Sequence, residues 1–433
     1  MERRCASRDP AIKTIHKLGL RQGLRQLGPG LITGAADDDP SGIATYSQAG
    51  AQFGFSMLWT VVFTLPLMVA IQMVSARIGY VTQRGLTANI KTSFPRWVLF
   101  AVVGMLVAAN TLNLAADIAA MAEALRLLVG GSAHVYAVTF GLLCLLLQVF
   151  LSYKSYVRWL KWLTLALLAY VVVVFTIRLD WWQVGSDIVW PRLLASSQGH
   201  DILLMVVAVF GTTISPYLFF WQAAQEMEDT SHTQPHTPAA VRRHLRRIKA
   251  DTIFGMTFSN LIAFFIILST AATLHAAGVT DIQTSAQAAE ALRPLAGDLT
   301  FLLFSLGIIG TGMLAVPVLA GSAAYAVAEA AGWQGSLSLR LEHGEGRAFY
   351  GVIAAATVGG VILCFTPTDP VKELFWAAVI NGIIAVPIMA VMMVLASRSD
   401  VMGAYVVGQR LRWLGWIATA VMATAVVAML ATI

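Results

Sequence analysis

The sequence predicts an all-α polytopic membrane protein of about eleven transmembrane helices, built as an inverted repeat with broken first and sixth helices. Three observations predict this. The 433 residues are 58% hydrophobic and 12% charged, where soluble domains carry about 25% charged residues, and the apolar residues fall in runs of membrane length. Lys and Arg alternate between dense and sparse connections. Two spans lying five apart carry Gly and Pro near their midpoints.

The first span, 28–54, sets the chemistry. Asp37, Asp38 and Asp39 run into Pro40-Ser41-Gly42 between the apolar stretches Leu31–Ala36 and Ile43–Thr45. A carboxylate at the bilayer centre costs at least ~2.5–3.5 kcal/mol. Three beside a helix breaker make sense where the helix is interrupted and the gap faces a cation. Further spans follow at 57–82, 98–127, 135–153 and 157–177. The sixth, 202–225, holds Gly211-Thr212-Thr213-Ile214-Ser215-Pro216 at its centre. Spans at 250–275, 299–330, 348–365, 373–396 and 409–432 complete the set.

Charge bias fixes an orientation. With the N-terminus in the cytoplasm, 24 of the 29 Lys and Arg fall at inner ends. The outer ends keep Arg126, Arg178, Arg192, Arg293 and Lys372. One span more or fewer would scramble this bias. The basic stretch 1–27 has no long apolar run, so it reads as an uncleaved cytoplasmic tail rather than a signal peptide. Residues 28–432 then form a single transporter domain: a first half at 28–177, a second at 202–396, and an additional C-terminal helix at 409–432. An odd offset of five spans gives the two halves opposite topology. Matched interrupted helices in such a repeat point to a binding site at the midplane, where unwound carbonyls and half-helix C-termini favour cations.

The stretch Asp39-Pro40-Ser41-Gly42-Ile43-Ala44-Thr45, followed by Gln48-Ala49-Gly50-Ala51, resembles the first helix of the Nramp divalent-metal transporters, which read Asp-Pro-Gly-Asn, Ile-Ala-Thr and Gln-Ala-Gly-Ala. Gly211-Thr212-Thr213-Ile214-Ser215-Pro216 falls where that family has Gly-Ala-Thr-Val-Met-Pro. Leu303–Gly307, Leu319-Ala320-Gly321, Met402-Gly403 and Leu414-Gly415-Trp416 extend the likeness over nearly the whole chain. The resemblance implies a LeuT-type 5+5 inverted repeat. It also implies a metal site drawn from the motif Asp and Asn, a sixth-helix carbonyl and a Met sulfur.

The departures define the expected substrate. The matching positions hold Asp39, Gly42, Thr212 and Ser215, so the thioether is replaced by a hydroxyl. The family's sixth-helix His, tied to proton handling, is Tyr217, and of three third-helix acids only Asp117 remains beside Ala120 and Asn110. Thioether sulfur favours soft transition metals, whereas Mg²⁺ takes oxygen ligands and retains several waters. The pattern is similar to the Nramp-related magnesium transporters, in which proton coupling is weak or absent. The expected function is secondary transport of divalent cations, Mg²⁺ and Mn²⁺, by alternating access. The alternatives are a proton-coupled Mn²⁺/Fe²⁺ importer and an organic-cation or amino-acid carrier on the same fold.

The candidate metal site comprises Asp39, Asp38, Ser215, Thr212 and Gly42, with Asp37, Ser41, Thr213, Tyr217, Asp117, Asn260 and Asn381 as supporting or pathway residues. The competing reading of each hydroxyl is a bond to its own helix backbone. Asn110, Asn113 and Gln148 read as glue between helices. Glu226, Glu228, Asp229, His232, His236 and His244 read as a solvated loop between spans six and seven, and Trp181, Trp182 and Trp190 as an outer interfacial belt. Cys5, Cys144 and Cys364 are too scattered for a disulfide framework or a metal cluster. No nucleophile–base pair, phosphate loop or zinc spacing supports an enzyme. No cofactor is expected, the metal ion being the substrate, and the basic pI follows from topology rather than nucleic-acid binding. The lipid bilayer is the other expected partner, in a bacterial inner membrane; the oligomeric state stays open and is compatible with a monomer.

Overall fold

A computed structural model describes residues 29–150, 164–191, 199–230, 237–337, 346–366 and 369–432. The expected tail 1–27, the start of the span at 157–177, and His232 and His236 lie outside the described residues.

Backbone chemistry at two prolines sets the frame. Helix α1 (Pro29–Asp37) stops before Asp39, whose extended backbone (ψ 169°) is the conformation favoured by a residue preceding proline. Helix α2 (Pro40–Phe53) restarts with Pro at its first position, where a missing N–H costs nothing. Gly54 at φ +60° and a 3₁₀ turn (Gly54–Met57) lead into α3 (Leu58–Thr82). The same grammar recurs where α9 (Gly199–Thr213) gives way to α10 (Pro216–Thr230), leaving Ile214 and Ser215 outside both helices. Between the breaks come α4 (Leu86–Ser93), α5 (Arg96–Val129), α6 (Ala133–Phe150), α7 (Leu168–Thr176) and α8 (Trp181–Val189). After them come α11 (Pro238–Thr270), α12 (Thr300–Ala331), α13 (Arg347–Leu363), α14 (Pro370–Ser397) and α15 (Gln409–Ala431).

Contacts along α11 give the directions. Gly30 N–H donates to Asp251 Oδ2 (2.8 Å), Gly34 lies against Gly255, and Asp38 meets Ser259, so α1 runs parallel to α11. A Cβ on Gly34 would sit 2.3 Å from the Gly255 carbonyl oxygen, so only paired glycines allow this approach. Helix α3 runs the other way, with Asn260 bonded to the Val61 carbonyl and Tyr80 stacked on His244. The chain has therefore turned back at Gly54–Met57. Helix α10 runs parallel to α3: Gln72 donates to the Leu218 carbonyl, Ser75 to that of Phe219, and Gln83 to Thr230. The two broken helices are thus antiparallel, as an inverted repeat demands.

Eight described helices are long and apolar enough to cross a membrane, or nine if the bent pair Leu165–Thr176 and Trp181–Val189 (116°) forms one span. That count takes Pro40–Thr82 as a single element. With the bent pair counted as one span, dividing Pro40–Thr82 at its turn and adding the shorter apolar helix Arg347–Leu363 gives the predicted number, eleven. Seventeen residues rise about 26 Å, close to the hydrocarbon thickness.

Around the breaks, α5 and α12 pack antiparallel. Asn110 donates to the Leu319 carbonyl (2.9 Å) and to Ser322 Oγ (2.6 Å), and Ser305 to the Ala124 carbonyl (2.9 Å). Asn113 exchanges hydrogen bonds with Asn381 of α14 (3.0 and 3.2 Å). Gln148 differs from the expected glue, bonding its own helix at the Cys144 carbonyl.

The expected solvated loop between spans six and seven is corrected where it is described. Thr237 caps α11 and Pro238 occupies its first turn, so the helix begins twelve residues before the predicted 250. Glu226, Glu228 and Asp229 lie on α10 and His244 on α11. Glu226 is fully buried, 3.2 Å from His244 and 3.4 Å from Arg247. The polar run looked like a loop because its counter-charges lie about twenty residues further along the chain.

Candidate metal-ion site

The break in the first helix divides its three carboxylates between two neighbours. Asp39 caps α2, with Oδ1 accepting from the Gly42 amide (2.7 Å), a short bond of charge-assisted type. Its Oδ2 accepts from the Tyr217 hydroxyl (3.2 Å), which also points to the Ala36 carbonyl (3.1 Å). Asp37 and Asp38 turn instead to α11, where Ser259 Oγ lies 2.5 Å from Asp37 Oδ2 and 3.0 Å from Asp38 Oδ1. Asp117, on α5, is the fourth carboxylate and neighbours Asp39 and the Ser41 backbone. All four are at most 3% exposed.

These acids carry unmet acceptor capacity. Asp37 Oδ1 and both oxygens of Asp117 have no hydrogen-bond partner, and no Lys, Arg or His forms an ion pair with any of the four among the described residues. Buried charge is tolerated only when paired or bound to a cation. Four buried acids without a counter-charge among the described residues need either protons or a bound cation to offset them. They do not converge on one point: among the described residues, no three His, Cys, Asp or Glu side chains are placed together to hold a metal. Water, hydroxyls and carbonyls would therefore complete any coordination shell.

The second break supplies such groups. Thr212 Oγ1 faces Gly42, lying 3.2 Å from where a Cβ would stand. Ser215 Oγ donates within its own turn, to the carbonyls of Gly211 (2.9 Å) and Thr212 (2.8 Å), and Thr213 donates to the Val209 carbonyl. The expected alternative for the hydroxyls thus describes Thr213 and Ser215, although a hydroxyl oxygen that donates keeps lone pairs for a cation. Ser41 donates to the Leu374 carbonyl (3.2 Å) and ties the break to α14. Asn260 is turned toward α3 and Asn381 toward Asn113, so each bonds a neighbouring helix rather than an aspartate.

Two residues at the site escaped the sequence reading. Ser259 holds two of the three aspartates, and Tyr46 places an unpartnered buried hydroxyl in the field of all three, near Thr213. A serine or tyrosine in an apolar helix carries no signal of its own. Only the parallel packing of α1 on α11 would have pointed to Ser259.

Access differs at the two ends of the site. Beyond the C-terminal half of α2, a cavity of about 180 Å³ is lined by Gln48, Gln52, Asp201, Asp281 and Lys372. A smaller one of about 20 Å³ continues from Ala44, Ile282 and Val371 toward Ile43 and Leu374. At the opposite end, the Glu226–Arg247–His244 cluster and Tyr325 on Glu228 (2.7 Å) pack α10 against α11 and α12.

A family model described as natural resistance-associated macrophage protein-like matches residues 30–432. A divalent metal cation transporter, MntH, of Deinococcus radiodurans is 28% identical over 408 residues, covering 92% of this chain and 88% of that one. MntH of Pectobacterium carotovorum is 25% identical over 313 residues, covering 70% and 71%. A crystal structure of the Eremococcus coleocola manganese transporter, in complex with an aromatic bis-isothiourea compound, superposes with a TM-score of 0.74 at 17% identity, covering 99% of this chain and 88% of that one. Mhp1, a nucleobase-cation-symport-1 family transporter in a closed conformation, superposes at 0.56 with 15% identity, covering 93% and 92%. These structural likenesses show a common fold.

Proposed function

The chain belongs to the Nramp family, and on that premise we propose that it is a secondary transporter carrying divalent metal cations across a bacterial inner membrane. The observation that carries the proposal is the set of four buried carboxylates, Asp37, Asp38, Asp39 and Asp117, at a helix break with no cationic partner among the described residues. Asp39 and Asp38 would hold the ion, with Thr212, Ser215 and the backbone at Gly42 facing it directly or through water. Asp37 and Asp117 would add charge, and Ser259 and Tyr217 would orient the acids.

The ligand chemistry favours Mg²⁺, with Mn²⁺ also carried. Ser215 replaces the soft donor, and acids too dispersed for a tight cage suit an ion that keeps part of its water. The drive is the ion gradient and the membrane potential, worth ~4.6 kcal/mol per 100 mV for a divalent ion. Tyr217 supports transport without protons, because a phenol does not titrate at neutral pH as an imidazole does. Lysine and arginine bias supports an N-terminus in the cytoplasm.

The test is uptake into proteoliposomes that enclose a metal indicator and a pH dye. Mg²⁺ entry that scales with an imposed potential, without internal acidification, is the expected result. Mn²⁺ entry with acidification and no Mg²⁺ flux would instead establish a proton-coupled manganese importer.

A further inference from the structure

A second concentration of charge lies away from the carboxylates, and it is positive. Where α3 ends and α11 and α15 begin, a cavity of about 490 Å³ brings together Arg77, Lys249 and Arg410 with the apolar side chains Met73, Ile248 and Leu411. The nearby Arg247 has Glu226 as its partner, whereas Arg77, Lys249 and Arg410 have no hydrogen bond or ion pair among the described residues. Arg77 Nε is buried with no acceptor. Helix α15 opens at the same cavity with Gly408 as its cap and no side-chain acceptor for its first amides. A 23-residue helix presents partial positive charge at such an end.

Three unpaired cations and an uncapped helix start call for an anion. The apolar wall calls for a ligand with a hydrocarbon part as well. Trp413 on α15, 62% exposed, lies one helical turn beyond Arg410. Basic pockets between transmembrane helices at the cytoplasmic side hold anionic lipid headgroups. The Lys and Arg bias assigns this end to the cytoplasm. We propose that the cavity binds the phosphate headgroup of an anionic phospholipid of the inner leaflet, with the acyl chains lying along α11 and α15. A lipid there would join α15, outside the repeat, to α3 and α11 within it.

Native mass spectrometry of the full chain, delipidated and then titrated with phosphatidylglycerol or phosphatidylcholine, tests the proposal. One cation near an anionic surface is worth roughly fivefold in affinity. The wild type should retain phosphatidylglycerol over phosphatidylcholine, Arg410→Gln should weaken that preference about fivefold, and a triple Arg77→Gln, Lys249→Gln, Arg410→Gln variant should abolish it. Arg410 is exposed at a helix start, so its single variant gives the answer even where the triple variant fails to fold. Equal retention of the two lipids by the wild type, or an unchanged preference in Arg410→Gln, would overturn the proposal. Displacement of the lipid by millimolar inorganic phosphate at equal occupancy would overturn the lipid assignment and leave a free-anion site.

Discussion

The two broken helices use the same backbone device and opposite chemistry. Each stops before a proline, at Pro40 and at Pro216, and they meet antiparallel. The first break offers three carboxylates whose hydrogen bonds reach other helices as well as their own turn, to Tyr217 and to Ser259. The second offers hydroxyls that donate inward to their own helix, Thr213 to Val209 and Ser215 to Gly211. The difference teaches a division of labour: one half of the repeat brings the charge, and the other brings dipoles and space. Such asymmetry would let a divalent ion be held without a second charged wall to keep it from leaving.

Replacement of Asp39 should have the largest effect on this arrangement. Truncating one member of a buried charge interaction costs about 3–5 kcal/mol, so Asp39→Ala should lower metal uptake on the order of a hundredfold or more in proteoliposomes. Uptake within threefold of wild type would remove Asp39 from the site. Ser259→Ala comes next, because it releases two acids at once. A hydrogen bond to a charged group is worth about 1.5–3 kcal/mol, and the loss should be roughly thirtyfold, read as weaker metal binding by calorimetry. An unchanged affinity would mean that the Asp37–Asp38 pair stands outside the binding step.

Tyr217→Phe removes a hydroxyl that Asp39 shares with the Ala36 carbonyl, so the expected loss is nearer tenfold. Insensitivity of that variant's flux to an imposed pH gradient would agree with transport that needs no proton at this position, whereas a gained or lost pH response would revive proton coupling. Ser215→Met should shift preference rather than abolish transport. The soft donor should raise competition by Cd²⁺ and Mn²⁺ against Mg²⁺ several-fold. Thr213→Ala should be nearly silent, within about twofold, because its hydroxyl serves its own helix; a large loss there would break the division between the two halves.

Much of this was readable in the chain. The pre-proline residues Asp39 and Ser215 mark both breaks, and the five-span offset gives their antiparallel relation, because backbone rules act locally and charge bias acts span by span. The partners of the acids were not readable. Ser259 lies 222 residues from Asp37, and an intramembrane serine ordinarily bonds its own helix. Glu226 looked solvated because a carboxylate beside other acids gives no hint that His244 and Arg247 fold back over it. Tyr46 was missed because an aromatic in an apolar helix reads as packing.

One carboxylate holds two positions at once. Asp39 Oδ1 is the acceptor that closes the first turn of α2 at the Gly42 amide. A cation that drew on that oxygen would share it with the amide and weaken the cap. Loading an ion there would act on the stiffness of a helix end, so occupancy would become a mechanical signal. Amide exchange at Gly42, slow when capped, would register it directly.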